Sequence, residues 1–136
     1  MKQMVYTTRT KKAEILATGI YKNFKYYVIS YGAYPCAYVD VSNTSLASTD
    51  YDEINIDCHG GLTYSEDYLS AADTEKSDGK WYIGWDYAHY GDYTFHPFHP
   101  YIGGGEWDKR WTTEEIVAEC KNVINQIVDE EGVRKL

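Results

Sequence analysis

The stretch Lys80-Trp81-Tyr82-Ile83-Gly84-Trp85-Asp86-Tyr87-Ala88 sets Trp81, Ile83, Trp85 and Tyr87 on one side of an extended chain, and Tyr82, Gly84, Asp86 and Ala88 on the other. Side chains alternate across a strand with a period of two, so this reads as a β-strand with a strongly apolar face. Further along, the apolar residues change period. Thr112 and Glu115 form a capping box, and Ile116, Cys120, Val123, Ile124 and Ile127 follow at helical spacing. That pattern predicts a long terminal helix whose apolar stripe packs on the sheet.

Upstream, Ala13 to Tyr31 reads as strand, turn at Tyr21 to Asn23, and strand, because Phe24 to Tyr31 is dense in β-branched and aromatic residues. Gly32 and Pro35 break the run. Cys36 to Val41 offers a third strand, with Ala37, Val39 and Val41 facing one way and Cys36, Tyr38 and Asp40 the other. Ser42 to Asp52 reads as a loop or a single helical turn. Ile54, Ile56 and Cys58 then alternate with Asn55, Asp57 and His59, which predicts a further half-buried strand ending at Gly60-Gly61. Ser65 to Lys80 is a polar surface excursion, and His89 to Trp111 is an irregular loop carrying Pro97, Pro100 and Gly103 to Gly105. The expectation is one α+β domain over residues 1–136: an antiparallel or mixed sheet of about five strands packed against a long C-terminal helix.

Composition narrows the partners. The chain has 136 residues, a formal net charge of −8, and 15 Tyr and 4 Trp against only 3 Phe. Aromatics with a polar handle beyond core needs suit sheet faces, interfaces and stacking walls, and leave room for a homo-oligomer. The acidic balance disfavours direct nucleic-acid binding but would suit a mimic of nucleic acid or a ligand for a basic protein patch. Cys36, Cys58 and Cys120 are odd in number and widely spaced, which argues against a secreted disulfide framework and for a reducing cytoplasm. Neither a signal peptide nor a run approaching the ~20 apolar residues of a membrane helix is legible.

Chemistry concentrates in Asp57-Cys58-His59-Gly60-Gly61-Leu62-Thr63-Tyr64 and Trp85-Asp86-Tyr87-Ala88-His89-Tyr90-Gly91-Asp92. Each sets a His and carboxylates at a strand end. If the two strands are neighbours, His59, Asp86, His89 and Asp92 converge beside the Gly-Gly turn. Imidazole with carboxylate supports metal binding or acid–base steps, but no HExxH or CxxC spacing forces a metal, and satisfied polar groups at strand ends are a simpler explanation than metal ligation. Gly60-Gly61 with Thr63 offers N–H groups and a hydroxyl to a phosphate, or forms an ordinary turn. There is no P-loop and no Rossmann fingerprint, so no cofactor is expected. His96 and His99, each followed by Pro, read as an exposed turn. Cys58 and His59 point to opposite faces, which disfavours a Cys–His nucleophile pair and leaves Cys58 a structural thiol.

These segments, with Tyr31-Gly32-Ala33-Tyr34-Pro35-Cys36-Ala37-Tyr38-Val39, Tyr51-Asp52-Glu53-Ile54 and Val117-Ala118-Glu119-Cys120, resemble a group of small bacteriophage and prophage proteins, from Tyr31 to the end of the chain. His59-Gly60-Gly61-Leu62-Thr63-Tyr64 and Gly84-Trp85-Asp86-Tyr87-Ala88-His89-Tyr90-Gly91-Asp92 are the most specific pieces. The resemblance implies a counter-defence factor in the host bacterial cytoplasm, by association with context and not by mechanism. The leading expectation is a protein that sequesters a small nucleotide-like immune signal, since base stacking is worth ~1–3 kcal/mol per base. Its ligand-binding residues would be His59, Gly60, Gly61, Thr63, Tyr64, Trp85, Asp86, His89 and Asp92. Second comes a hydrolase of such a signal, using His59 and His89 with Asp86 or Asp92. Third comes an acidic inhibitor of a host defence enzyme, its affinity falling with salt.

Overall fold

The computed structural model describes residues 13–69, 77–94 and 108–135. Strands β1 (Glu14–Tyr21) and β2 (Phe24–Ser30) form the expected hairpin. Lys22 and Asn23 between them hold φ angles of 50° and 72°, the consecutive left-handed pair that a two-residue type I′ turn requires. Strands β3 (Pro35–Asp40), β4 (Tyr64–Glu66) and β5 (Tyr82–Asp86) complete a five-stranded sheet in the order β1-β2-β3-β5-β4. Every pairing in it is antiparallel. Helix α1 (Thr113–Lys135) covers one face, making the fold α+β.

Alternation decides which side chains meet the helix. Val28, Ala37, Val39, Ile83, Trp85 and Tyr87 are buried against Ile116, Cys120, Val123, Ile124 and Ile127, the stripe legible in the sequence. Ile29, Cys36 and Tyr38 form a second buried cluster on the opposite face. The helix starts as its sequence dictates: the Glu115 N–H donates to Thr112 Oγ1 at 3.1 Å, and the Thr112 N–H donates to Glu115 Oε1 at 2.9 Å. These reciprocal bonds occupy donors that a helix start otherwise leaves open. Gly84, in the middle of β5, is required by packing. A Cβ there would lie 2.6 Å from Tyr38 Cδ1 and 2.7 Å from the Ala37 carbonyl oxygen. Its absence lets Tyr38 and Tyr64 meet edge-on across the strand with centroids 5.0 Å apart.

Two expectations are corrected. The segment from Ile54 to Cys58 is not a strand of the sheet. Its alternation is real, with Ile54, Ile56 and Cys58 packed against the core, but its polar backbone is met by the helix. The Asp57 N–H donates to Gln126 Oε1 at 2.9 Å, and Gln126 Nε2 donates to the Asp57 carbonyl at 2.8 Å. A primary amide thus supplies the donor and acceptor of a neighbouring strand, which satisfies an extended segment without a ladder. Conversely, Tyr64–Glu66, read as the end of a turn and the start of a polar insert, is the short edge strand β4. Three residues are too few to print a period. Tyr51–Glu53 forms a 3₁₀ turn at the end of the loop from Ser42. His96 and His99, and most of the loop between His89 and Trp111, lie outside the described residues.

Candidate functional site around His59 and Asp92

The segment preceding β4 runs antiparallel to α1, and this carries His59 to the helix start. Gln126 holds Asp57, and about two turns nearer the helix N-terminus Glu119 Oε2 accepts the His59 N–H at 3.1 Å. The Gly61 N–H then closes a turn on the Cys58 carbonyl at 3.0 Å. Gly60, the third residue of that turn, has φ 70°, a conformation open to glycine at little cost. A Cβ on Gly60 would collide with the His89 ring, whereas one on Gly61 would meet nothing within 4 Å. The two glycines therefore differ in role: Gly60 admits His89, and Gly61 faces open space.

Asp92 organises the centre. Its Oδ2 lies 2.7 Å from His59 Nε2 and accepts the His89 backbone N–H at 2.9 Å, while Oδ1 accepts the Trp111 indole N–H at 2.9 Å. Burial by itself raises the Asp92 pKa. The hydrogen bonds from His59, the His89 backbone and Trp111 outweigh it, so the net shift is downward from 3.8. His59 stacks on Tyr87 with centroids 4.6 Å apart and planes 5° from parallel, and packs against Trp111 at 4.8 Å. Its imidazole is thus fixed by one hydrogen bond to Asp92 and two aromatic neighbours. His89 lies 5.5 Å away, edge-on to His59.

Asp86 forms the outer half. It accepts from Thr63 Oγ1 at 3.2 Å and from the Ala88 N–H at 3.1 Å. His89 Nε2 stands 3.2 Å from Asp86 Oδ1, close enough for charge attraction, yet it is shielded from solvent and out of hydrogen-bond alignment with any partner. The structure therefore brings His59, Gly60, Thr63, Asp86, His89 and Asp92 together. It does not bring Tyr64 or Trp85. Tyr64 lies on the sheet face away from the helix, its hydroxyl donating to the Tyr68 carbonyl at 2.6 Å. Trp85 is in the core at 1% exposure, its indole N–H donating to the Tyr87 hydroxyl at 3.1 Å.

A cleft of about 230 Å³ adjoins this cluster, lined by Ser30, Gly32, Ala33, Tyr34, Pro35, Tyr87, Tyr93, Arg110 and Trp111. Tyr87 and Trp111 belong to both: they hold His59 and wall the cleft. The Arg110 guanidinium lies 3.9 Å over the Tyr93 ring and forms no ion pair among the described residues. Burial, with Cys36 and Asp86 nearby, raises the Tyr34 pKa and keeps its hydroxyl protonated. Sequence reasoning missed Tyr34, Tyr93, Arg110 and Trp111. Lys109-Arg110-Trp111 before the helix cap was the one available signal, a pair of cations beside an indole in an otherwise acidic chain.

Among the described residues no group of three or more His, Cys, Asp or Glu is arranged to hold a metal ion. Nor is any helix long and apolar enough to cross a membrane. Comparisons with protein-family models, curated proteins and solved structures return no match to this chain.

Proposed function

We propose that the protein captures a small phosphorylated, nucleotide-like molecule in the cleft beside His59, and that, in the phage setting its motifs resemble, this molecule is an immune signal of the host. The observation that carries the reading is the pairing of aromatic walls with a cation that forms no ion pair among the described residues: Tyr34, Tyr87, Tyr93 and Trp111 around Arg110. Aromatic faces accept any base by stacking, and a guanidinium meets phosphate with paired donors. A cleft of about 230 Å³ is smaller than the ~300–1,000 Å³ of a pocket enclosing a drug-sized ligand. It seats one ring or one sugar phosphate, and the remainder of a nucleotide lies along His89, Thr63 and Gly61.

The hydrogen bond between His59 and Asp92 favours a second reading, hydrolysis, because an oriented imidazole is the usual proton carrier near neutral pH. Against it, Asp92 is occupied by three donors and His59 by two aromatic rings, an arrangement that also suits a rigid wall.

One experiment separates them. The purified protein is incubated with a panel of cyclic nucleotides and ADP-ribose derivatives, and free ligand, ligand released by heat, and products are quantified by mass spectrometry. Capture predicts depletion of one ligand followed by its intact release, with Arg110→Ala weakening binding about tenfold or more, as expected for loss of a charge-assisted bond of ~1.5–3 kcal/mol. New products that vanish in His59→Ala would establish the hydrolase instead. No change in any ligand would overturn both and leave an inhibitor of a protein partner.

A further inference from the structure

We infer, resting on the capture reading above, that the cleft selects a phosphate bonded to the rest of its ligand on both sides, and so singly charged, over a terminal phosphate. The balance of charge around the cleft carries this. Among the described residues that line it, Arg110 is the one cationic side chain, and no carboxylate joins it. Lys109 is its neighbour in sequence but is engaged elsewhere, its Nζ 2.9 Å from Glu115 Oε2 and 4.3 Å from the centroid of the Trp111 ring. Asp86 is not part of the lining, yet after burial and Cys36 it is the third influence that raises the pKa of the Tyr34 hydroxyl, so its charge is felt inside the cleft. The chain as a whole carries a formal −8. One guanidinium thus balances one phosphate charge, and a second would be left uncompensated in the field of Asp86 and of an acidic chain.

Phosphates differ in this same property. A terminal phosphate has a second ionisation near ~6 and carries ~1.5–2 negative charges at neutral pH. One bonded on both sides lacks that second acidic oxygen and keeps a single charge. The other polar groups of the cleft donate hydrogen bonds without adding charge. The Tyr34 hydroxyl is protonated and forms no hydrogen bond among the described residues, whereas that of Tyr87 already accepts the Trp85 indole N–H at 3.1 Å. Ser30 Oγ accepts the Gly32 N–H at 3.1 Å, which leaves its own proton to give. Two neutral hydroxyls and one guanidinium can hold the oxygens of either kind of phosphate, so discrimination falls to charge. The class that fits is a nucleotide whose phosphates all lie within its ring or backbone, with none exposed at an end.

Calorimetric titration of the full chain at neutral pH and low salt tests this with matched probes: adenosine 5′-phosphate against its phosphate methyl ester, and the same pair built on guanosine. Base and sugar are constant within a pair, and the charge on phosphorus changes. The methyl ester is expected to bind about tenfold tighter than its parent, and Arg110→Ala to weaken the ester about tenfold or more. Ala33→Lys places a second cation in the lining and is expected to bring the two affinities to within about twofold or to invert them. Asp86→Asn is expected to narrow the gap about threefold. Far-ultraviolet circular dichroism confirms that each variant keeps the fold. A parent that binds as tightly as its ester, still dependent on Arg110, would overturn the charge selection and leave the capture reading standing. So would a folded Ala33→Lys variant whose preference is unchanged. If no member of either pair binds, the cleft takes no nucleotide phosphate, and the capture reading falls together with the selection.

Discussion

Asp92 is 3% exposed, and its charge survives burial because three donors converge on it. This has a consequence in acid. A carboxylate whose folded pKa lies below its ordinary value of 3.8 contributes stability that is fully present above that value and is lost as pH falls through the lower, folded one. Replacing Asp92 by Asn turns one acceptor into a donor aimed at another donor, from His59, the His89 backbone or Trp111. An orphaned buried donor costs ~1–3 kcal/mol. Asp92→Asn is therefore expected to lose about 2 kcal/mol at neutral pH, and the gap from wild type should narrow as the wild type is protonated below pH 3.8. Urea denaturation at neutral and acid pH measures both; a gap independent of pH would show that the charge of Asp92 does not matter and only its shape does. Thr112 and Glu115 act at the same scale, through a cap that was legible from two letters at the right spacing.

At the scale of elements, Gln126 has an unusual assignment for a helix side chain: it closes both backbone bonds of Asp57. Gln126→Ala is expected to cost about 1–2 kcal/mol, the net worth of two such hydrogen bonds. It should also speed hydrogen exchange at the Asp57 amide while leaving β3 and β5 protected, because local opening is confined to the segment whose bonds are lost. Uniform acceleration across the sheet would instead make this segment part of the global unfolding unit. The same residues mark the limit of what the sequence disclosed. Lys80 to Ala88 and the helix stripe were legible because each buries one face, and burial prints its period directly into the letters. Ile54 to Cys58 bears the period of a strand because it too buries alternate residues, yet alternation records which side chains are inside and says nothing of what satisfies the backbone. The convergence of His59, His89, Asp86 and Asp92 was conditional on two segments being neighbours in space. They are neighbours, joined by sheet pairing at Thr63 and Tyr64 against Gly84 and held by Gln126 and Glu119 of the helix at Asp57 and His59. Trp85 and Tyr64 looked like stacking residues because their letters carry no record of depth: Trp85 follows the apolar face into the core, and Tyr64 packs on Tyr38 across Gly84.

The molecule as a whole places one thiol in each of three settings: Cys120 beneath the helix, Cys36 on the far face of the sheet, and Cys58 at the turn that carries His59. Burial pushes each up to about 12 from an ordinary 9.0, with nearby carboxylates adding to the effect: Asp86 for Cys36, Glu119 and Asp57 for Cys58, and Glu119 for Cys120. A group whose folded pKa is raised favours folding while it stays neutral. That contribution is complete below 9.0 and is lost as pH climbs towards 12, where the unfolded chain ionises and the folded one does not. Stability should therefore fall over this alkaline window, and a Cys120→Ala variant, relieved of one buried thiol, should fall less steeply. Thiolate is the reactive form, so at pH 8 a thiol reagent must wait for the fold to open. Cys58, only half-buried, is expected to react first, and Cys36 and Cys120 together at the rate of global unfolding, because the two faces share strands β2, β3 and β5. Mass spectrometry of labelled peptides over time reads this order. Early labelling of Cys36 with Cys120 still protected would divide the molecule differently, with the face away from the helix opening independently of the core.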